Sequence, residues 1–424
     1  MRILHFSTED ISGGAARAAF RLHGALRDAG QHSHMFVRRK KSYDDDVNQL
    51  PPPPPRPWQS RLVRILNSVP GLRKPRLSAN YTFNFDLEPQ INTDYLFKLP
   101  FQQGDIICLH WISELLNSRL IRELYNHYHC KVVWVMADQE PMTGGCHYSF
   151  GCDGYRNECG CCPMLDSEDK NDHSHYTWRR KKSYLTDMPI CFVAPTSWGI
   201  ARLRESSLFQ NNRVELIPYA IDTEIFRPVN QQIARDLLHL PFDKKIIFFG
   251  ATYLEDRRKG MKQLIETIEK LVELIDASGG FKREDIFLVA AGLNGKGVIA
   301  KLPLSGKYVG HLNDEITLAL AYQAADIFLC PSIEDAGPMM IPEAMLCGTP
   351  VVAFNAGGAP DLIRTMKNGY LADLGDTSDL AAGIYALLTS DILPAMRLSA
   401  RQAAEQAHMP SIVAGRHINL YQSL

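Results

Sequence analysis

The sequence predicts an α/β fold built as two doubly wound domains, and three observations carry that prediction. The chain has 424 residues, enough for two or three domains. Short apolar runs alternate with segments of helical period along most of it. The alternation then restarts after about residue 217, so the second half repeats the theme of the first. Hydrophobic residues make up 45% and charged residues 22%, an ordinary composition for a chain that buries its cores. Lys and Arg number 46 against 47 Asp and Glu, and a net charge of −1 gives no global reason to expect nucleic acid as a partner. No stretch approaches the ~18 consecutive apolar residues of a membrane span. Glu9 and Asp10 interrupt the first apolar run before a signal-like segment develops, so a cytoplasmic protein is expected. There, ten cysteines read as thiols or metal ligands before they read as a disulfide framework.

Taken in order, residues 2–6 form the first predicted strand. A Ser12-Gly13-Gly14 turn follows, then Ala15, Ala18, Ala19, Leu22, Leu26 and Ala29 at helical spacing, stopped by Gly30. Residues 106–109, 132–136 and 190–193 are further strands of the first half. In the second half, residues 245–249 lead to Gly250 and a helix over 262–275. The runs 286–290, 327–329 and 351–354 end at Gly292, Pro331 and Gly357-Gly358. The expected organisation is a first domain over 1–217, a second over 218–405, and a C-terminal helix over 406–424 that packs back on the first. Ligands of such sheets bind beyond the carboxyl ends of the strands, which places the expected site in a cleft between the two domains.

One insertion departs from the pattern, over about residues 50–76. Pro51 to Pro55 form a stiff spacer. Arg56, Arg61, Arg64, Arg73, Lys74 and Arg76 then interleave with Trp58, Leu62, Val63, Ile65, Leu66 and Val69, with no acidic residue between. This composition suits a basic amphipathic helix on an anionic bilayer, so peripheral contact with the inner face of the membrane is one expectation. A packing helix on the first domain is the other.

The richest chemistry lies at residues 331–350. An apolar strand ends at Pro331, a loop carries Asp335, Gly337 and Pro338, and a helix bearing Glu343 runs to Gly348. A helix start presents unpaired N–H groups suited to a diphosphate, and two carboxylates eight positions apart suit sugar and ribose hydroxyls. Capping is the alternative role for such acids. The basic run Arg257-Arg258-Lys259-Gly260 opens the helix after the first strand of the second half, where cations oppose the helix dipole; an anionic ligand explains them best.

These residues resemble the retaining glycosyltransferases of family GT4. The resemblance rests on Pro331-Ser332, Glu343-Ala344-Met345, Cys347-Gly348 and Pro350-Val351-Val352, with Gly357-Gly358 and Pro360-Asp361-Leu362-Ile363 as continuation. It extends over nearly the whole chain: Gly13-Gly14, the strand ending His110-Trp111-Ile112, the hinge Ile217-Pro218, and Gly310-His311-Leu312 before Ala324-Ala325-Asp326. It implies a GT-B fold, two Rossmann-like domains facing across a cleft, and a UDP-sugar donor with no required cofactor. By the same resemblance Glu343 holds the ribose and Asp335 the transferred sugar. Gly337, Met339 and Met340 help fix the sugar and diphosphate, and His311 and Leu312 lie near the base. Lys259 and Arg258 neutralise the leaving phosphate, and Gly13 and Gly14 form the N-terminal glycine loop of the donor site. The implied acceptor is a glycan or lipid-linked glycan of exopolysaccharide assembly, with UDP-glucose as first donor candidate.

Departures from the family pattern matter too. Asp335 stands for the commoner Glu, shortening its reach by ~1.5 Å. Gly250-Ala251-Thr252 stands where Gly-Arg-Leu is usual, which shifts the phosphate role to Arg258. A family histidine beside the donor sugar reads Ala137 here, leaving Asp138, Gln139 and His110 as polar candidates at that place. This loss motivates an alternative, a nucleotide-sugar-binding scaffold or partner subunit with weak catalysis. A dinucleotide-dependent oxidoreductase is disfavoured, because Gly13-Gly14 is followed by Ala15-Ala16 and not by a Gly-x-Gly-x-x-Gly fingerprint. Cys146, Cys152, Cys159 and Cys162, which the resembled subgroup also carries, are compatible with a structural zinc, with two disulfides or with free thiols. Asp44-Asp45-Asp46 contains an Asp-x-Asp, but in a hydrophilic loop away from any strand end, and reads as solvated surface.

Overall fold

A computed structural model of the chain describes residues 1–54, 83–278 and 281–424. The basic run at 56–76 lies outside the described residues, and with it the proposed membrane contact. The chain divides into two compact units. The first comprises residues 1–194, 199–216 and 420–424; the second comprises 195–198 and 217–419.

The first unit is built on strands β1 (Arg2–Glu9), β2 (His32–Arg39), β3 (Val47–Gln49), β4 (Ile106–Leu109), β5 (Lys131–Val135), β6 (Cys191–Ala194) and β7 (Val214–Leu216). They form one sheet in the order β3-β2-β1-β4-β5-β6-β7. Every pairing in it is parallel. Its helices include α1 (Gly14–Asp28), α2 (Ser118–Tyr128), α3 (His173–Leu185) and α4 (Ser197–Glu205). Parallel strands covered on both faces are apolar at every position, which is why 106–109 read as an unbroken run and all four residues are buried.

The second unit repeats the plan. Strands β8 (Lys245–Tyr253), β9 (Ile286–Leu293), β10 (Gly306–Tyr308), β11 (Ile327–Cys330), β12 (Val351–Phe354) and β13 (Gly369–Ala372) form a parallel sheet in the order β10-β9-β8-β11-β12-β13. Helices α5 (Met261–Ser278), α6 (Glu315–Ala324), α7 (Met340–Leu346), α8 (Thr377–Leu388), α9 (Leu393–His408) and α10 (Pro410–Gln422) follow in chain order. Alternate residues of each strand feed two cores. Ile246, Phe248, Phe328 and Val351 enter one, with α6, α7 and α9. Ile247, Phe249, Leu329 and Val352 enter the other, with α5 and α8. Full burial of one such Phe stabilises the unit by roughly 1.5–3 kcal/mol. No helix among the described residues is long and apolar enough to cross a membrane.

Two strand ends differ from the sequence expectation. β8 does not stop at Gly250 but runs to Tyr253 through an irregularity between those residues. β9 likewise continues through Gly292 to Leu293. In both, a glycine inside the strand permits close backbone approach: a Cβ on Gly292 would lie 2.1 Å from the Ala251 carbonyl oxygen. The Asp-x-Asp segment is surface structure, as read: Asp44 pairs with Arg27 at 2.7 Å and Asp46 with His34 at 3.3 Å.

The loop after β1 is held by a buried carboxylate. Asp10 accepts hydrogen bonds from the backbone N–H groups of Ile11 (2.8 Å), Lys41 (2.9 Å) and Ser42 (2.7 Å). Burial alone would raise its pKa; the Ser42, Lys41 and Ile11 amides outweigh that and hold it below the usual carboxylate value. Asp10→Asn is therefore expected to cost about 2 kcal/mol, a drop of roughly 4–8 °C in the melting temperature of this unit. Because the folded pKa is depressed, this contribution is complete above the ordinary carboxyl pKa and disappears as pH falls through the lowered one. The gap between wild type and variant should thus close in acid, and equal melting curves at neutral pH would show that the loop is held by other contacts.

Candidate active site

In a doubly wound sheet, ligands bind outside the carboxyl ends of the strands where the strand order reverses. In the second unit that point lies between β8 and β11, which pair through Ile247–Ile327 and Phe248–Phe328. The connection leaving β8 carries the basic turn, and the one leaving β11 carries Asp335. The parallel sheet thus delivers both to one edge.

There the two loops are locked together. The Ile333 N–H donates to the Arg258 carbonyl at 2.8 Å. Gly260 takes φ +71°, and a Cβ on it would lie 1.8 Å from the Pro331 carbonyl oxygen. No other residue satisfies both conditions, which explains the Lys-Gly pairing in the sequence. Lys259 Nζ donates to Asp335 Oδ2 at 2.5 Å, and Asp335 Oδ1 accepts from the Gly337 N–H at 3.2 Å. Asp335 is only 7% exposed. Burial would raise its pKa, but the charges of Lys259 and Arg258, with these hydrogen bonds, hold it below the usual carboxylate range. Arg258 is itself oriented by Asp256, which accepts from its guanidinium at 2.5 Å and from its N–H at 3.0 Å.

Glu343 sits in α7, buried, with the Tyr322 hydroxyl of α6 3.5 Å from its Oε2. Tyr322 is fully buried among Phe226, Phe248 and Phe328, so its ring gives that carboxylate a rigid neighbour. Gly357, at φ +56°, abuts Asp335: its Cβ would fall 2.0 Å from the Asp335 carbonyl oxygen. Met339 and Met340 are half-buried at the start of α7. His311 and Leu312 follow Gly310, whose carbonyl accepts from the Gly292 N–H at the end of β9. Leu312 packs against the core that contains Tyr322. The candidates of the second half thus lie on connections that leave the carboxyl edge of one sheet.

A contributor not singled out in the sequence is the segment 195–198. It follows β6 but belongs to the second unit. Thr196 Oγ1 donates to the Ala336 carbonyl at 2.5 Å, and the Ser197 N–H and hydroxyl both donate to the Asp361 carboxylate. Two short side chains thereby tie the Asp335 loop to the turn after β12. Pro-Thr-Ser before a helix carries a capping signal, but nothing local reveals a partner 140 residues away.

In the first unit the candidates surround the carboxyl ends of β1, β4 and β5. Gly13 (φ +87°) precedes α1, and Gly14 is its first residue. His110 is buried and hydrogen-bonded to His5 at 2.9 Å, with the two rings stacked. Asp138 accepts from the Glu140 N–H at 2.9 Å and lies 2.6 Å from His147 Nδ1. His147 in turn packs against Trp111. His147 was not singled out as a site residue from the sequence; its imidazole lies against Asp138, just beyond the end of β5. The pair Lys181–Glu140, at 2.6 Å, lies buried beneath the same loop.

Residues 243–390 match the family model described as glycosyl transferases group 1. The D-inositol 3-phosphate glycosyltransferase of Saccharomonospora viridis is 28% identical over 204 residues, covering 46% of each chain. The chain thus spans less than half the length of that relative. An Escherichia coli K12 protein that carries the name of a colanic acid biosynthesis glycosyl transferase, WcaC, is 22% identical over the whole of both chains. Among solved structures, sucrose-phosphate synthase of Thermosynechococcus elongatus superposes with a TM-score of 0.69 at 19% identity, covering 100% of this chain and 98% of that one. Anabaena HepE, solved in complex with UDP and glucose, has a TM-score of 0.66 at 15% identity over 100% of both chains. The architecture is that of the GT-B glycosyltransferases.

Proposed function

We propose that this chain, whose residues 243–390 match the group 1 glycosyl transferases, moves a hexosyl group from a UDP-sugar to a glycan or lipid-linked glycan in polysaccharide assembly. The observation that carries the reading is the meeting of Lys259, Arg258 and Asp335 at the switch point of the second sheet, with Glu343 on the helix that follows the Asp335 loop. Glucose is the first candidate for the transferred sugar, in keeping with the UDP-glucose held by HepE.

The chemistry needs little more than position and charge. The bond from sugar C1 to the diphosphate oxygen breaks, and a bond from the acceptor oxygen to C1 forms on the same face, so the anomeric configuration is retained. The acceptor proton passes to the departing phosphate oxygen. Lys259 and Arg258 neutralise the charge that develops on UDP, and Glu343 accepts from the ribose hydroxyls. Preorganised cations at developing charge supply a large share of such rate enhancements, so the reaction is expected to proceed without a divalent ion. Asp335 orients Lys259 and lies beside the sugar. Asp138 and His110 position their strand ends.

The test is release of UDP from a panel of UDP-, GDP- and ADP-sugars, with EDTA present. Release from one UDP-hexose, even by slow hydrolysis, supports the assignment. Tight binding of that sugar with no release on any glycan would favour the scaffold alternative, and binding of none would overturn both.

A further inference from the structure

The connection between β5 and α3, about residues 136–172, contains three short 3-10 turns and no longer element. Long irregular loops inside a compact unit need something besides secondary structure to hold them. This one is convoluted: Gly145, Phe150, Gly151, Gly160, Cys161 and Asp166 all take positive φ. Its glycines touch neighbouring backbone, with a Cβ on Gly144 falling 2.3 Å from the Ser174 carbonyl oxygen and one on Gly160 2.3 Å from that of Lys170. Apolar support comes from two places: Met142, Tyr155 and Cys159 enter the main core of the unit, and Phe83, Met164 and Leu165 form a small cluster of their own.

Four thiols of this loop, those of Cys146, Cys152, Cys159 and Cys162, line a single cavity. None is in a disulfide. The neighbouring Cys161 is exposed instead, with its thiol donating to the Glu168 carbonyl. Four sulfurs from seventeen positions thus share one cavity, while a fifth is turned out of it. Cys159 Sγ accepts the Gly144 N–H at 3.2 Å, the kind of outer contact that orients a metal-bound ligand.

We propose that Cys146, Cys152, Cys159 and Cys162 bind a structural zinc ion that staples this loop. Each thiol loses its proton to solvent on binding, and four sulfurs at ~2.3 Å close a tetrahedral shell with no position left for a substrate. Among the described residues, the one group of three ligand-type side chains with donor atoms within 4.8 Å of one another is His5, Cys108 and His110. There the imidazoles already hydrogen-bond to each other. The four loop thiols therefore have to draw inward when zinc binds, and the metal orders the loop instead of filling a finished cage. The staple would act on the candidate site indirectly, because His147 follows Cys146 and contacts Asp138.

The experiment is the metal content of the full chain, purified without chelator, by inductively coupled plasma mass spectrometry. The expected result is about one zinc per chain, retained in Cys161→Ser and lost in Cys152→Ser. Should Cys152→Ser fail to fold, the cobalt-substituted wild-type chain gives a second readout, thiolate-to-cobalt charge transfer with tetrahedral d–d bands. Less than about 0.2 zinc per chain after reconstitution under reducing conditions would overturn the proposal. So would unreduced peptides linked among the four cysteines, or cobalt bands undiminished in Cys152→Ser. None of these readouts depends on transferase activity.

Discussion

Replacing Lys259 by alanine is expected to lower kcat/KM about 10³-fold, the largest effect of any single substitution in this site. On the proposed function the cation neutralises the departing diphosphate, and its loss withdraws stabilisation that grows as the bond to C1 breaks. Most of the decrease should fall on kcat. Stability should suffer less, by about 1–2 kcal/mol. Breaking a fully buried pair costs more, but the Lys259 side chain is 21% exposed and water screens part of the interaction. What remains is Asp335, buried and facing Arg258 and the Gly337 N–H without its nearest cation. Its carboxyl pKa should rise in the variant. In the wild type the depressed pKa means that the pair contributes fully above the ordinary carboxyl value and weakens as pH falls through the lowered one. Adding Asp335→Asn to Lys259→Ala should restore much of the melting temperature and none of the activity. UDP-release kinetics and thermal unfolding on the two single variants and the double variant check this. A Lys259→Ala enzyme within threefold of wild type would remove Lys259 from the mechanism.

Glu343→Gln should weaken donor binding roughly 10²-fold, through KM more than kcat. Hydrogen bonds to a charged acceptor contribute about 1.5–3 kcal/mol each, and a ribose diol offers two. Glutamine is the informative replacement because it keeps an acceptor beside the buried Tyr322 hydroxyl, whereas alanine would remove that contact, leave a cavity and confuse binding with stability. The decisive comparison is UDP against 2′,3′-dideoxy-UDP by calorimetry. Wild type should prefer UDP strongly and the glutamine variant should scarcely distinguish them. Unchanged discrimination in Glu343→Gln would assign the ribose to another residue.

Much of the fold was legible in the residues because two-sided burial writes itself into the sequence. Residues 106–109 and 351–354 read as strands with the bounds that β4 and β12 have. α1 ends where Gly30 predicted, since a positive φ is open to glycine at low cost. β8 and β9 ran past their glycines because Gly250 and Gly292 lie where neighbouring backbones meet, and a local rule that treats glycine as a stop cannot detect that approach. Gly260 and Gly357 were legible as motif positions, but the reason for them, the carbonyls of Pro331 and Asp335 lying against their Cα atoms, was not.

What the sequence determined by itself was therefore local: strands from apolar runs, turns from glycine and proline, and the identity of the chemical groups at 257–260 and 335–343. The tertiary structure decided which of those groups meet. Strand order brings β8 beside β11, and so places Lys259 on Asp335 across 76 positions of chain. It assigns residues 195–198 to the second unit, puts His147 beside Asp138, and turns four of five loop cysteines toward one cavity. The physical reason is that periodicity records which face of an element is buried. A hydrogen bond or ion pair between distant segments constrains only its two end residues and leaves no pattern in the sequence between them.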